Sequence, residues 1–115
     1  MLRKSPNRMI ASRRTEAPIF AALGDETRLL LVAKLCAGQP RSISQLTEGS
    51  RLTRQAITKH LRVLERAGVV HCVRTGRESR FQFNPEPIEE IRTFLELVSE
   101  QWDQALDRLK RFVEG

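Results

Sequence analysis

The spacing of apolar residues predicts a chain built mainly of helices. In its middle, Ile57, Leu61 and Leu64 recur at the interval that places side chains on one face of a helix. Thr53 stands where it can cap the first turn. The opposite face carries cationic and polar side chains: Arg54, Gln55, Thr58, Lys59 and Arg62. Such a face, free of acidic residues, suits the major groove of DNA.

Shorter apolar periods predict two helices ahead of this one. The segment Thr15–Leu23 carries Ile19 and Phe20 and stops at a glycine. Asp25 then offers an N-cap to a second helix that runs to about Ala37. The buried faces of this second helix are predicted to come from five apolar side chains: Leu29, Leu30, Val32, Ala33 and Leu35.

A capping box indicates a third, short helix just before the cationic one. Ser42 stands at the cap position with Gln45 three residues on, and Gly49 closes the helix. The cationic helix, from Thr53 to Ala67, follows after a turn of three or four residues. Two helices joined by so tight a turn, the second with a cationic face, predict a helix-turn-helix.

The residues after the cationic helix predict a β-hairpin. Val69–Arg74 is rich in β-branched residues, Thr75–Glu78 is a turn containing glycine, and Ser79–Phe83 alternates polar with apolar. Phe81 and Phe83 are expected in the core beneath the hairpin. Three arginines lie at or near its tip: Arg74, Arg77 and Arg80. The pattern therefore predicts a winged helix-turn-helix, a mainly α fold with a small β-hairpin.

The remainder of the chain predicts one long helix that starts near Pro85 or Pro87, since proline is tolerated in a first turn. Apolar residues follow at alternating steps of three and four, which is a heptad seam: Ile88, Ile91, Leu95, Val98, Trp102, Ala105, Leu109 and Phe112. About 28 residues make a helix about 42 Å long, more than so small a domain covers alone. We therefore predict a homodimer through this C-terminal helix, with Ile19 and Phe20 of the N-terminal helix at the same interface.

Charge is distributed unevenly over the 115 residues, whose net charge is +6. Residues 1–14 hold five cations and no acid, and residues 41–80 hold nine cations and three acids. Residues 81–115 reverse the balance, with four cations and eight acids. The basic centre favours a polyanionic partner, and the acidic end indicates a second surface with a different role.

These patterns predict one small domain. We divide it into a flexible basic arm over residues 1–14, a winged helix-turn-helix over residues 15–84 and a dimerisation helix over residues 85–115 that belongs to the same domain. No apolar run approaches the roughly 18 residues of a membrane span. Two cysteines are too few for a disulfide framework, so we expect a reduced, cytoplasmic setting.

Two segments carry a resemblance to a known family. The first is Ala22–Leu29, with the sequence ALGDETRL, and the second is Gln55–Val70, with the sequence QAITKHLRVLERAGVV; the hairpin Arg74–Phe83 fits as well. They resemble the ArsR/SmtB family of winged-helix repressors, and the resemblance covers about residues 16–113. It implies a dimeric transcriptional repressor that binds an imperfect inverted repeat in a promoter.

The metal sites of that family do not match this sequence. One kind uses cysteines in the helix before the recognition helix, and residues 42–49 contain none. Another uses ligands that include histidine on the last helix, and here that helix has neither histidine nor cysteine. Zinc needs several such ligands together. We therefore expect a metal-independent member with no cofactor.

The predicted DNA contacts lie on the cationic helix and the wing: Thr53, Arg54, Gln55, Thr58, Lys59, His60, Arg62, Arg74, Arg77 and Arg80. Arg54, Gln55 and Thr58 are expected to meet base edges, since arginine pairs well with guanine and glutamine with adenine. The DNA backbone is expected to be held by four cations: Lys59, Arg62, Arg77 and Arg80. His60 lies between the polar and apolar faces, so it either bonds to the backbone as a partly buried histidine or contacts DNA.

Several alternatives are compatible with the same sequence. Cys36 and Cys72 are interpreted as small buried hydrophobes, but a thiol-responsive repressor that uses both is an alternative. An adaptor whose winged helix binds protein is a second alternative. Arg28 either pairs with Asp25 or touches a phosphate. An enzyme is not expected, because the chain offers no nucleophile–base set and no glycine-rich phosphate loop.

Overall fold

The computed structural model describes residues 16–115, so the predicted basic arm over residues 1–14 lies outside the described residues. The described chain forms five helices and three strands. They are α1 Glu16–Leu23, α2 Glu26–Leu35, β1 Arg41–Ser42, α3 Ile43–Thr47, α4 Arg54–Arg66, β2 Val70–Thr75, β3 Glu78–Phe83 and α5 Pro85–Glu114. None of these helices is both long and apolar enough to cross a membrane.

Local capping explains where the helices begin, and it confirms the predicted caps. The carboxylate of Asp25 accepts a hydrogen bond from the backbone N–H of Arg28 at 3.0 Å. Ser42 and Gln45 make both bonds of a capping box at the start of α3. Thr53 accepts from the backbone N–H of Ala56 at 3.1 Å, which satisfies a free donor in the first turn of α4.

The core lies between α1, α2 and α4 and the inner face of the sheet. Ile57, Leu61 and Leu64 of α4 are buried in it, as the sequence predicts. The predicted buried face of α2 was wrong in part: Leu31, Val32 and Leu35 are buried, whereas three of the five side chains assigned to it are exposed. Those three are Leu29, Leu30 and Ala33. Five consecutive apolar residues, 29–33, leave the phase of a helix undetermined, and packing against α1 and α4 selects one side.

The sheet has the strand order β1–β3–β2, with antiparallel pairing throughout. Strand β1 was not predicted, because two residues show no alternation. It places Arg41 opposite Phe81 and ties the hairpin to the start of α3. Phe81 is fully buried and Phe83 packs against the core, which confirms both assignments. The loop between β2 and β3 is shorter than predicted: Gly76, at φ 64°, and Arg77 alone connect the paired residues at its ends.

Helix α5 begins at a joint with the end of α4. The side chain of Asn84 accepts from the backbone N–H of Glu86 and caps α5. The same side chain donates to the carbonyl of Gly68 at 3.0 Å, and its backbone N–H donates to the carbonyl of Val69 at 2.9 Å. Gly68, at φ 78°, ends α4. One asparagine therefore connects the exit of α4 to the entry of α5.

Only the first turns of the 30-residue helix α5 pack on the rest of the protomer. Phe94 meets Phe20 of α1 edge to face, with ring centroids 5.9 Å apart. Ile91 is buried and Ile88 packs against the core. Beyond them, large apolar side chains of the predicted seam are exposed: Leu95, Val98, Trp102, Leu109 and Phe112. Ile19, with 3% of its surface exposed, also lies inside the protomer. Ile19 and Ile91 therefore leave little surface for a partner.

Candidate nucleic-acid interface

The outward face of α4 presents the predicted cationic and amide side chains to solvent. Arg54, Gln55, Lys59 and Arg62 are exposed, and Thr58 is half-buried. Arg62 forms an ion pair with Glu65, with Nη1 and Oε1 3.2 Å apart. Within residues 16–115, no carboxylate lies at ion-pair distance from Arg54 or Lys59. These two cations are therefore available to a negatively charged ligand without first leaving an acidic partner.

The two threonines of this helix differ in what they can offer a ligand. The hydroxyl of Thr58 donates to the carbonyl of Arg54 at 2.7 Å, so its proton is already used. Thr58 can still accept a hydrogen bond, and its methyl group can pack on a thymine methyl. Thr53 uses an oxygen lone pair for its cap, which leaves its hydroxyl proton free to bond an anionic oxygen.

The wing supplies three more arginines. Arg74 lies on β2 and Arg77 in the turn, and both are exposed without a carboxylate partner among residues 16–115. Arg80 is different, because its Nε donates to Oε1 of Glu78 at 2.6 Å. The wing near its tip therefore carries two uncompensated positive charges, Arg74 and Arg77, and a third, Arg80, that is neutralised.

A cleft of about 240 Å³ separates α4 from the wing. Arg54 lines one side and Arg77 the other, with Ser44 of α3 and Ser79 of β3 also at the wall. Glu78 lines the cleft as well, and its carboxylate pairs with Arg80. Two guanidinium groups and two hydroxyls are the donors that a phosphate group prefers. Sequence reasoning assigned Arg54 to base recognition and did not identify the serines, because only the pairing of β1 with β3 brings α3 and the wing together.

His60 does not lie on the outward face with the other predicted contacts. Its side chain is 24% exposed, and its Nδ1 lies 3.1 Å from Nη1 of Arg28 and 3.7 Å from Oδ2 of Asp25. The backbone N–H of Arg28 donates to Asp25 and lowers the pKa of that carboxyl below its ordinary value. The predicted ion pair of Arg28 with Asp25 was wrong: only the backbone N–H of Arg28 bonds to that carboxylate, as a helix cap. Its guanidinium group contacts His60 instead, a partner that sequence reasoning missed.

Both cysteines are exposed free thiols, so their interpretation as buried hydrophobes was wrong. Cys36 is the C-cap of α2, where the helix leaves the core. Cys72 lies on β2, an edge strand that is mostly exposed beyond Val70. Across residues 16–115, no three histidine, cysteine, aspartate or glutamate side chains are grouped as a metal site needs.

Comparison with known proteins agrees with this geometry. Residues 23–73 match the family model described as a helix-turn-helix domain. An uncharacterised HTH-type transcriptional regulator of Bacillus subtilis, YuzN, is 40% identical over 79 residues, which span 64% of this chain and 86% of YuzN.

Solved structures extend the match to the wing and the long helix. An ArsR-like transcriptional regulator from Rhodococcus sp. RHA1 superposes with a TM-score of 0.75 at 34% identity, covering 89% of this chain and 95% of that one. Mb0332 of Mycobacterium bovis, described as a homodimeric winged helix-turn-helix DNA-binding domain, shares the fold at a TM-score of 0.63 and 19% identity, with 91% and 95% covered. The chain belongs to the ArsR-like family of winged helix-turn-helix transcriptional regulators, which bind DNA and are not enzymes.

Proposed function

We propose that this chain is a homodimeric repressor that binds an inverted repeat in duplex DNA and blocks a promoter by occupying it. The observation that carries the proposal is the exposed cationic face of α4, with Arg54 and Lys59 free of carboxylate partners among residues 16–115, beside the cleft that α4 forms with the wing. In a twofold assembly, two copies of α4 would enter major grooves about 34–36 Å apart, or a multiple of that distance. The proposed site is then a palindrome.

We assign base recognition to Gln55 and Thr58 and backbone contact to the cations. Gln55 is exposed, and its side-chain amide can accept from adenine N6 through its oxygen and donate to N7 through its nitrogen. The hydroxyl of Thr58 already donates to the carbonyl of Arg54, so towards DNA it can only accept, from an exocyclic amine, or pack its methyl group on a thymine methyl. We propose that Arg54 contacts a phosphate and not a base edge, because it lines the same cleft as Arg77. The other proposed contacts to the DNA backbone are Thr53, Lys59, Arg62, Arg74 and Arg80.

The partner in the proposed dimer is a second copy joined along α5. The seam side chains from Leu95 to Phe112 are large, apolar and exposed in the protomer. A stripe of this kind on a monomer marks an interaction surface. Phe20 lies beside it, through its contact with Phe94. The interface that we propose contains Phe20, Ile88, Leu95, Val98, Trp102, Ala105, Leu109 and Phe112.

Selection of binding sites from a pool of random duplex DNA tests the proposal. We expect a palindromic sequence, and an affinity that falls by orders of magnitude between 50 and 200 mM salt. Lys59→Ala and Arg54→Ala should weaken every duplex by a similar factor and reduce the salt slope by about one each. Gln55→Ala should instead remove discrimination worth about 1–3 kcal/mol at one base pair.

A matched control is Arg108→Ala, which removes one positive charge from the far end of α5. It should leave both affinity and base preference unchanged. Enrichment of no common sequence, or binding that ignores salt, would contradict the proposal and favour the adaptor alternative, in which the winged helix binds protein.

Exposure of both thiols favours the thiol-responsive repressor as a second candidate. Oxidation of accessible Cys36 and Cys72 would then change DNA affinity, and Cys36→Ser with Cys72→Ser would abolish the change. Equal affinity of the wild type before and after peroxide treatment, with oxidation verified by mass spectrometry, excludes this version of the function.

A further inference from the structure

Arg28 lies at the meeting point of three helices. Its Nε donates to the carbonyl of Ala22 at 2.5 Å, and its Nη2 lies 3.5 Å from the carbonyl of Ala21. Both carbonyls belong to the last turn of α1. That of Ala21 also accepts from the backbone N–H of Gly24, whereas that of Ala22 takes its bond from Arg28. The third nitrogen, Nη1, lies 3.1 Å from Nδ1 of His60 on α4. One side chain on α2 therefore joins the end of α1 to the middle of α4.

The contact with Arg28 favours one tautomer of the His60 ring. A guanidinium group only donates hydrogen bonds, so this contact is a hydrogen bond when Nδ1 accepts, which the tautomer with its proton on Nε2 allows. Asp25 lies 3.7 Å from the same nitrogen and holds Arg28 in place through its backbone N–H. His60 is thus bound to α2, and only 24% of its side chain is exposed.

The contact connects the DNA-binding element to the proposed dimer scaffold. Helix α1 packs on α5 through Phe20 and Phe94. Asn84 attaches the end of α4 to the start of α5 through its bond to Gly68, which lies eight residues after His60. Two attachments spaced along a helix restrain its direction and its rotation, whereas one leaves a pivot. Base recognition depends on that orientation, because hydrogen bonds weaken steeply when they are misaligned.

We infer that Arg28 is a positioning residue for DNA binding, which acts through His60 to fix α4 against α1, and that neither side chain contacts DNA. The inference rests on the proposed function, since it takes α4 as the element that enters the groove. The sequence-based assignment made His60 a DNA contact. We instead assign it a contact inside the domain with Arg28, 32 positions earlier in the chain.

A double-mutant cycle on the full chain tests the inference. The probe is a fluorescein-labelled duplex recovered by selection from random DNA, with affinity measured by anisotropy at constant salt. Arg28→Lys keeps the charge but cannot hold α1 and His60 together, and His60→Leu removes the acceptor. We expect each to weaken binding about tenfold, and the double variant to be no weaker than either single one. Losses that multiply in the double variant would show that His60 contacts DNA independently.

A conservative variant separates positioning from direct contact without changing Arg28. Asparagine places its side-chain oxygen near the position of the imidazole Nδ1 and has nothing at the position of Nε2. His60→Asn should therefore retain affinity within about twofold if the acceptor for Arg28 is what matters. Affinity as low as that of His60→Leu would instead indicate that Nε2 reaches DNA, and the inference would be overturned.

The protonation state of His60 gives a readout that needs no DNA. Nitrogen-15 spectra of the ring should show the Nε2–H form in the wild type and a mixture of tautomers in Arg28→Lys. Thermal unfolding and sedimentation of each variant should show that the fold and the oligomeric state are retained. If the wild type binds DNA but the losses multiply, only the inference fails. If the wild type binds no duplex, the proposed function fails with it.

Discussion

Removal of the indole of Trp102 should dissociate the proposed dimer. Trp102 lies at the centre of the exposed half of the seam and is 64% exposed in the protomer. A tryptophan buries about 150–250 Å² when covered, so about 100–160 Å² of this residue is left for a partner. At about 25 cal/mol per Å², full coverage is worth about 2.5–4 kcal/mol for each side chain. If half of that area is covered in each of the two copies, Trp102→Ala removes the same total of about 2.5–4 kcal/mol from the free energy of dimerisation.

A loss of about 2.5–4 kcal/mol raises the dimer dissociation constant roughly 10²- to 10³-fold. Sedimentation equilibrium from nanomolar to high micromolar concentration measures this change in Trp102→Ala. Trp102 is the only tryptophan of the chain, so its emission also shifts to the red when the wild type is diluted below the dissociation constant. Affinity for the palindromic duplex should fall when the dimer dissociates, because each half-site is then bound separately.

Leu29→Ala provides the matched control. Leu29 is 53% exposed and apolar, but it lies on α2 and not on the seam. Its truncation should leave the dissociation constant unchanged. The reasoning is refuted if Trp102→Ala and the wild type dissociate at the same concentration, or if the wild type is monomeric at micromolar concentration.

Two further predictions concern the stability of the fold. Phe81→Ala should lower the free energy of unfolding by about 3–5 kcal/mol in denaturant titrations, because Phe81 fills the core beneath the wing; a loss under 1 kcal/mol would contradict its placement. Asp25→Asn should be less stable than the wild type at pH 7. The bonds to Asp25 lower its folded pKa below the ordinary 3.8, so the stability that they add is present above pH 3.8 and is lost as the pH falls through the folded pKa. The two proteins should therefore converge in thermal stability as the pH falls below the folded pKa of Asp25, and a constant difference at all pH values would refute the assignment.

The features that sequence reasoning placed correctly depend on residues close together in the chain. The caps at Asp25, Ser42 and Thr53 each join residues three apart, and the face formed by Ile57, Leu61 and Leu64 follows from helical periodicity alone. Such signals survive in any tertiary context. They were sufficient to identify the helix-turn-helix, the wing and the long terminal helix.

The features that sequence reasoning missed depend on contacts between distant residues. Strand β1 is a strand only because β3 lies beside it, and the burial of α2 was decided by its neighbours. Cys72 was expected inside as a small hydrophobe on a hairpin strand, yet it lies exposed on an edge strand of the small sheet. The contact of Arg28 with His60 spans 32 positions and leaves no periodic signal.

The joint at Asn84 has a consequence for how related regulators could diverge. In a twofold assembly built on α5, a change in angle at this residue moves both copies of α4, because the twofold axis relates them. The distance between the two copies of α4 then changes by about twice the displacement of one copy along the line that joins them. A chain could therefore move to a site with a different spacer length between half-sites while every base-contacting side chain stays the same. Operator spacing and base preference would then evolve through separate residues, the first at the asparagine hinge and the second on the helix that it holds.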